Sequence, residues 1–369
     1  MPKSRSRRKS HRPARPDAHY CEAEVIEGLE AIAREELITL FGQNVRLSRP
    51  PGGGHRAESG VIRFRYSGPL RALLHLRTVR AVYLVRRFDV ARPRALLGDM
   101  HFRSLLTDIA RVRRLAPPEA YHTLHLSAAG SDSAVMIRIK DNLAQQTGLR
   151  AAEDEGDLLL RIRPAPGKAS GWDVLIRLSP RPLATRPWRV CSREGALNAT
   201  IAHAMILMTD PRPNDVFLNL ACGSGTLLIE RLSAAPARHA VGCDTDPEAL
   251  ACAQANLKAA GYDAAAELHD WDARALPLPE ASVDALCADL PFGHLVGSHE
   301  ENVQLYPQIL AEAARVARPG ALFALITHEI RLMESLLADS TDWQTAGVLR
   351  VTQGGLHPRI FVLHRERSR

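Results

Sequence analysis

An acidic side chain and a rigid turn follow one another at the end of an apolar run. The run VDALCADL, residues 283 to 290, predicts a buried strand that reaches Asp289 and turns at Leu290, Pro291 and Phe292. The Asp289 carboxylate and the Leu290 carbonyl oxygen can each accept one N–H of an exocyclic amine. Pro291 restricts Leu290 to an extended conformation, and Phe292 offers a ring on which a base can stack. These residues indicate a site that holds the amine of a nucleobase, and the alternative is an ordinary strand-ending turn.

A glycine-rich turn lies between an earlier apolar strand and a helix, in VFLNLACGSGTLLIE. In doubly wound sheets a ligand binds beyond the carboxyl ends of the strands, where such a loop lets backbone N–H groups approach it. Leu228 stands where a dinucleotide fingerprint needs its third glycine, so NAD is a poor match. The next strand ends at Asp244, 25 residues after Asn219, where an acid can bind both hydroxyls of a ribose. Its neighbour Asp246 precedes Pro247 and is expected to cap a helix.

The third strand runs into HDWDAR. Asp272 could accept a hydrogen bond from an adenine amine while Trp271 covers the ring, although an Asp at a strand end is also ordinary turn chemistry. Three successive strand ends therefore outline a nucleoside whose tail lies over the glycine-rich loop.

The elements that position these residues form an α/β pattern after residue 196. Strands are expected at VFLNL, AVGCD, AAELHD, VDALCADL and ALFALIT, with helices between them. GVLRVTQ and PRIFVLHR break the alternation and predict an antiparallel hairpin on the sheet edge. The pattern predicts a mostly parallel, doubly wound sheet.

The first half of the chain predicts two smaller α+β units. Strands at 61 to 66 and 82 to 88 enclose a helix at 69 to 79. In the second unit Leu105, Ile109 and Val112 line a helix, residues 135 to 140 alternate as in a half-exposed strand, and Gly148 closes a short helix. LLLRIRP and WDVLIRLSP predict a strand pair, and the Pro- and Arg-rich stretch from 181 is typical of a linker.

The charge of this 369-residue chain is concentrated at its start. Residues 1 to 16 carry seven of the 48 Lys and Arg and no acid, so the rest holds 41 bases and 41 acids. Such a tail is expected to be disordered and to attract phosphates, or to serve only solubility. No apolar run is long enough for a membrane helix and no secretory signal is visible, so a cytoplasmic protein is expected. The six cysteines show no metal-ligand or disulfide spacing and are expected to be small buried hydrophobes.

The order NLACGSG, Asp244, WDAR and DLPFG, closed by a hairpin, resembles the class I S-adenosylmethionine-dependent methyltransferases. More narrowly, REGALNATIAHAMILMTDPRPNDVFLNLACGSGTLLIE with DLPFG is similar to the tRNA guanine-N2-methyltransferases that carry a THUMP domain. The similarity covers residues 180 to 365 and is weaker over 20 to 180. It implies a disordered basic tail (1–18), a ferredoxin-like domain (19–90), a THUMP-like RNA-binding domain (91–180), a linker (181–195) and a Rossmann-like methyltransferase domain (196–369).

The resemblance also implies the cofactor, S-adenosylmethionine, and its contacts. Gly223 and its neighbours would face the methionine part, Asp244 the ribose and Asp272 the adenine. The full set of cofactor residues implied is Thr200, Asn219, Ala221, Cys222, Gly223, Gly225, Asp244, Thr245, Trp271 and Asp272. For Thr200 the equal alternative is a role at a helix N-terminus. Asn219 replaces an Asp that would face the cofactor's amino group, and Leu290 stands where many amino-methyltransferases have proline.

The activity implied by the resemblance is the formation of N2-methylguanosine in tRNA, in the acceptor stem at position 6, by a monomer without a metal. Its catalytic residues would be Asp289, Leu290, Pro291 and Phe292, and its RNA contacts Arg138, Lys140, Arg186 and Arg189. His294, where a basic residue commonly follows the glycine, is expected to be a surface residue or a phosphate contact. The residues alone leave open a ribosomal RNA or DNA amino-methyltransferase, and an RNA-binding protein with a degenerate methyltransferase domain.

Overall fold

The computed structural model describes residues 18–48, 59–166, 171–291, 298–352 and 354–366. Residues 1 to 17 of the expected basic tail lie outside these ranges. Phe292 and His294 lie outside them as well. The first half of the chain forms one mixed sheet of eight strands in the order β2-β3-β1-β4-β8-β7-β5-β6. Its strands are β1 (His19–Val25), β2 (Val45–Leu47), β3 (Val61–Tyr66), β4 (Val79–Phe88), β5 (Thr123–Ala128), β6 (Arg150–Ala152), β7 (Leu158–Pro164) and β8 (Trp172–Arg177).

Three helices pack on this sheet: α1 (Glu30–Phe41), α2 (Asp99–Arg113) and α3 (Ala134–Thr147). Strand β4 pairs with β8 from Tyr83–Arg177 to Phe88–Trp172, across the boundary expected near residue 90. The two predicted N-terminal units therefore share one continuous sheet, and their division into two domains stays a prediction.

The strand expected at residues 135 to 140 is wrong, because these residues begin helix α3. Ser133 caps the helix by accepting from the Met136 N–H, and Met136, Ile139 and Leu143 are buried along one helical face. Ile137, which the alternating pattern placed on the apolar face of a strand with Val135 and Ile139, is 41% exposed. The helix expected at 69 to 79 is also wrong: a short 3₁₀ segment spans Leu70–His75, and β4 begins at Val79. Gly148 ends α3 in the left-handed conformation, as predicted.

The second half forms a seven-stranded sheet in the order β11-β10-β9-β12-β13-β15-β14. Its strands are β9 (Val216–Leu220), β10 (His239–Cys243), β11 (Glu267–His269), β12 (Val283–Asp289), β13 (Ala317–Thr327), β14 (Trp343–Arg350) and β15 (Arg359–Arg365). The first five are parallel, and β15 pairs antiparallel with both β13 and β14. This confirms the doubly wound sheet and its antiparallel hairpin.

The helices of this half are α4 (Ala199–Leu207), α5 (Thr226–Ala234), α6 (Pro247–Ala260), α7 (His299–Val316) and α8 (Ile330–Ala338). The chain leaves β9 for β10 on one side and β12 lies on the other, so the strand order reverses between β9 and β12. Ligands of open α/β sheets bind beyond the carboxyl ends of the strands at such a reversal. No helix in the described ranges is both long and apolar enough to cross a bilayer.

A buried ionic cluster joins the two halves. Glu230 of α5 is fully buried and accepts from Arg77 at 2.8 and 3.0 Å and from Arg186 at 2.9 Å, while His203 Nδ1 lies 2.9 Å from its second oxygen. Burial alone would raise the pKa of Glu230, but His203, Arg186 and Arg77 lower it to about 2. The carboxylate therefore stays ionised and ties the N-terminal sheet to α5.

Candidate active site

A cavity of about 410 Å³ opens at the carboxyl ends of β9, β10 and β12. Five segments line it: 193 to 197, the glycine-rich loop from Ala221, the β10 end from Asp244 to Asp246, residues 271 to 273, and the β12 end from Asp289 to Pro291. Leu305 and Ile309 of α7 complete the wall. The ends of β9, β10 and β12, residues 271 to 273 and the segment from Asp289 to Pro291 thus meet at one cavity.

Backbone conformation explains the glycines of the loop. Gly223 has φ +53, and a Cβ built on it would meet nothing within 4 Å, so its glycine serves the left-handed backbone and leaves room above the loop. Gly225 has φ +78, and a Cβ there would lie 3.1 Å from the Ala253 side chain of α6. Gly225 therefore permits the close packing of the loop on α6, but it does not line the cavity.

Asp244 connects the glycine-rich loop to the end of β10. Its carboxylate accepts from the Gly223 N–H at 2.8 Å and from the Asp246 N–H at 3.0 Å. A carboxylate has about four lone-pair sites, so about two remain for hydroxyl groups of a ligand. Asp246 caps α6 through the Glu248 N–H, which confirms its predicted structural role.

Trp271 and Asp272 form another side of the cavity. The Trp271 ring stacks on His269, with centroids 3.9 Å apart and planes at 5°, which fixes the orientation of the indole. Asp272 accepts from the backbone and side chain of Arg274, and Arg274 holds the pKa of Asp272 below its ordinary value. Arg274 therefore already occupies the Asp272 oxygens that were expected to accept from an adenine amine.

Asp289 ends β12 on the wall of the cavity. No residue in the described part of the chain donates a hydrogen bond to its carboxylate, and desolvation by burial raises the pKa of Asp289 to about 7. The Leu290 carbonyl follows, and it too accepts nothing from a described residue. The structure thus places at the cavity two adjacent acceptors that receive no donor from the described residues, as the chemistry of an amine site requires.

Segment 193 to 197 was missed by the sequence reasoning. Three interactions fix the linker next to it on α6: a disulfide between Cys191 and Cys252, an ion pair between Arg193 and Asp246, and Asn256. Buried Asn256 accepts from the Val190 and Cys191 N–H groups and donates to the Cys191 and Ser224 carbonyls. Residues 193 to 197 are therefore held in place on α6 and form one wall of the cavity. For Cys191 and Cys252 the expectation of small buried hydrophobes without a disulfide is wrong, whereas the other four cysteines are buried thiols.

Two predicted cofactor residues lie outside the cavity. Thr200 is fully buried in α4, and its hydroxyl finds no partner among the described residues. Asn219 is fully buried in β9, where its amide donates to the Leu220 and Cys287 carbonyls at 3.1 and 3.3 Å. The prediction that Thr200 and Asn219 contact the cofactor directly is therefore wrong, because both side chains face the interior of the protein. The amide at 219 serves the sheet, since a carboxylate could not donate these bonds.

The structure divides the four predicted RNA-contact residues. Arg186 is buried on Glu230, and Arg189 donates to the Leu197 carbonyl and the Thr226 hydroxyl, so both are corrected to structural roles. Arg138 is exposed and Lys140 half-buried on α3, so their contact with RNA stays a prediction. Phe292 lies outside the described residues.

Several known proteins are similar to this chain in sequence or in fold. Residues 186–359 match the family model described as UPF0020, RMKL-like, methyltransferase domain. Over 182 residues the chain is 31% identical to tRNA (guanine(6)-N(2))-methyltransferase THUMP3 of Mus musculus, which covers 46% of this chain and 36% of that protein. Over 191 residues it is 32% identical to a tRNA (guanine(6)-N2)-methyltransferase of Thermus thermophilus, covering 52% of this chain and 56% of the relative.

The crystal structure of TrmN from Thermus thermophilus superimposes with a TM-score of 0.71 at 25% identity, over 94% of this chain and 99% of that one. The fold is therefore that of the class I methyltransferases, as the resemblance implies. Residues 186–359 are thus similar to the RMKL-like methyltransferase domains. The aligned regions span between about a third and just over half of the two curated relatives.

Proposed function

We propose that this protein is an S-adenosylmethionine-dependent tRNA methyltransferase that forms N2-methylguanosine. The observation that carries the proposal is a pair of acceptors, Asp289 and the Leu290 carbonyl, at the strand reversal of a class I methyltransferase fold; neither accepts a hydrogen bond from a residue that the structure describes. The names of the two curated relatives support guanine N2 and tRNA as the target.

The residues of the cavity fit the cofactor. The remaining lone pairs of Asp244 suit a ribose diol, the open space above Gly223 leaves room for the methionine part, and Trp271 offers a ring for the adenine. Asp272 would bind the adenine amine only by releasing part of Arg274. When bound, S-adenosylmethionine supplies an electrophilic methyl group.

The acceptor pair accounts for activation of a poor nucleophile. The exocyclic amine of guanine is weakly nucleophilic because its lone pair is delocalised into the ring. Asp289 and the Leu290 carbonyl would each accept one N–H and hold the nitrogen towards tetrahedral geometry. The carboxylate also offsets the positive charge that grows on nitrogen and can take up the proton that nitrogen loses. Most of the acceleration would come from alignment of amine and methyl group.

The substrate is proposed to be tRNA, held by the N-terminal sheet with Arg138 and Lys140 of α3 among the contacts. The finer parts of the proposal are position 6 of the acceptor stem, a monomeric enzyme and a cytoplasmic location. The position is supported by the relatives' names alone.

The test is to incubate the protein and S-adenosylmethionine with undermodified tRNA, a ribosomal RNA fragment and DNA, and to analyse the nucleosides by mass spectrometry. We expect N2-methylguanosine from tRNA alone. Once the position is mapped, a transcript with inosine there should bind and receive no methyl group, because inosine lacks the amine. Methylated adenine or cytosine, or methylation of the inosine transcript, would refute the proposed chemistry. Cofactor binding without transfer to any nucleic acid would favour the RNA-binding alternative.

A further inference from the structure

One face of helix α7 contacts the end of strand β13 and the turn that carries the acceptor pair. His299, Asn302 and Tyr306 follow one another at spacings of three and four, so they share a face of the helix. His299 Nδ1 lies 2.9 Å from Glu329, and the Asn302 amide donates to Glu329 at 3.4 Å. The helix is thereby fixed against the chain that follows β13.

The hydroxyl of Tyr306 has a defined hydrogen-bond direction. It lies 2.6 Å from the Pro291 carbonyl, which can only accept, so the tyrosine donates there. The Thr327 hydroxyl lies 2.7 Å away; because the single proton of the Tyr306 hydroxyl goes to Pro291, Thr327 donates to Tyr306, and it accepts from the Glu329 N–H. A chain of donors thus runs from Glu329 through Thr327 and Tyr306 to Pro291.

The same turn has a second anchor. The Leu290 N–H donates to the Ile326 carbonyl of β13 at 3.1 Å, and Pro291 has no N–H to offer. The Leu290 carbonyl therefore lies between two fixed points, the Leu290 N–H and the Pro291 carbonyl. Within the described residues it is the only backbone acceptor of this Leu-Pro pair that receives no donor.

We propose that Tyr306 is a positioning residue, whose hydroxyl fixes the Leu290–Pro291 turn so that the Leu290 carbonyl points at the amine of the substrate. This inference rests on the proposed function, since it assigns the Leu290 carbonyl to that amine. Tyr306 contacts the turn and acts through it. Burial raises the pKa of Tyr306 above its ordinary value, so its hydroxyl remains a donor throughout the assay range.

A small change of aim at this carbonyl is expected to be costly. A misplacement of about 1 Å can lower a rate by about 100-fold when a reaction depends on alignment. Tyr306→Phe keeps the buried ring and removes one hydroxyl, so packing is conserved. We expect single-turnover methyl transfer to fall by about 10- to 100-fold, with cofactor affinity within about twofold of wild type because Tyr306 does not line the cavity.

A matched control exists in the N-terminal sheet. Tyr83 is also buried, and its hydroxyl donates to Glu24 at 3.1 Å, so Tyr83→Phe makes the same chemical change far from the turn. Thr327→Val removes the donor to Tyr306 and should lower transfer in the same direction, whereas Thr327→Ser retains the hydroxyl and should restore it. Rescue by serine separates the hydroxyl chain from a general loss of packing.

A second readout does not depend on activity. Hydrogen exchange of the Leu290 amide should accelerate by about tenfold or more in Tyr306→Phe and stay unchanged in Tyr83→Phe, because only the first change loosens the turn. Unchanged exchange, or transfer rates equal for the two variants, would overturn the inference. If wild-type protein methylates no tRNA, the proposed function fails, and the exchange measurement still decides whether Tyr306 anchors the turn.

Discussion

Replacing Asp289 with asparagine is expected to raise the stability of the protein at neutral pH while lowering its proposed methyl transfer. The ordinary pKa of this carboxyl is 3.8, and desolvation raises it to about 7 in the folded protein. The folded state therefore binds the proton more tightly than the unfolded state. The contribution of Asp289 to the free energy of unfolding therefore declines as pH rises from about 4 to about 7, and it is constant above about pH 7.

The size of this effect follows from the same values. At 1.36 kcal/mol for each tenfold change in proton affinity, the ionised carboxylate costs about 4 kcal/mol of folding free energy above pH 7. Asparagine is neutral at every pH, so the free-energy cost of burying it does not change with pH. The stability of Asp289→Asn relative to wild type should therefore grow by about 2 kcal/mol between about pH 5.5 and about pH 8.

Urea unfolding at the two pH values measures this difference. Asp284→Asn is the control, because Asp284 lies at the other end of β12 and its carboxylate accepts from the Val216 N–H and from Arg318. The control should lower stability at both pH values. A stability difference between Asp289→Asn and wild type that does not change with pH would show that Asp289 is not desolvated, and the reasoning would fail.

Three further changes test other parts of the structure. Trp271→Ala removes a ring that lines the cavity and should weaken cofactor binding by about 1–3 kcal/mol, measured by calorimetry; unchanged affinity would exclude stacking there. Glu230→Ala leaves Arg186 buried without its partner and should lower the free energy of unfolding by about 3–5 kcal/mol in urea. A loss below about 1 kcal/mol would mean that the cluster does not join the two halves. Reduction of the disulfide between Cys191 and Cys252, 61 residues apart, should lower stability by up to about 4 kcal/mol, and Cys191→Ser should make the protein insensitive to reductant. Equal sensitivity in that variant would assign the effect to another group.

The parts of the fold that the sequence predicts correctly rest on local signals. Strands β9, β10, β12 and β13 are mostly apolar and do not alternate with polar residues, as expected where both faces of a sheet are covered. The glycine-rich loop and the Asp246 cap also carry their signals within a few residues. The site could be located from such signals because parallel strands bring their carboxyl ends to one edge.

The predictions that are wrong concern features that depend on contacts between residues far apart in the sequence. Residues 135 to 140 fit an alternating strand as well as a helix, and packing of Met136 and Ile139 selects the helix. Asn219 and Thr200 lie next to the site in sequence, but the direction of each side chain depends on the sheet and on α4. The pairing of Cys191 with Cys252 cannot be read from spacing, because it depends on where the linker crosses α6.

The desolvation of Asp289 is likewise a property of the folded chain. The sequence shows an acid at the end of an apolar strand, but not that its carboxylate receives no hydrogen bond within the described part of the chain. That feature separates Asp289 from Asp244 and Asp272, whose oxygens already accept N–H groups.

The central claim is that Asp289 acts on the amine and not on the cofactor. The most direct test measures two quantities on Asp289→Asn: its affinity for S-adenosylmethionine by calorimetry, and its single-turnover rate of methyl transfer to tRNA. We predict an affinity within a few-fold of wild type and a transfer rate lower by about 100- to 1,000-fold, the loss typical of removing one group that stabilises transition-state charge. Equal losses of affinity and rate, or a rate near that of wild type, would contradict the account.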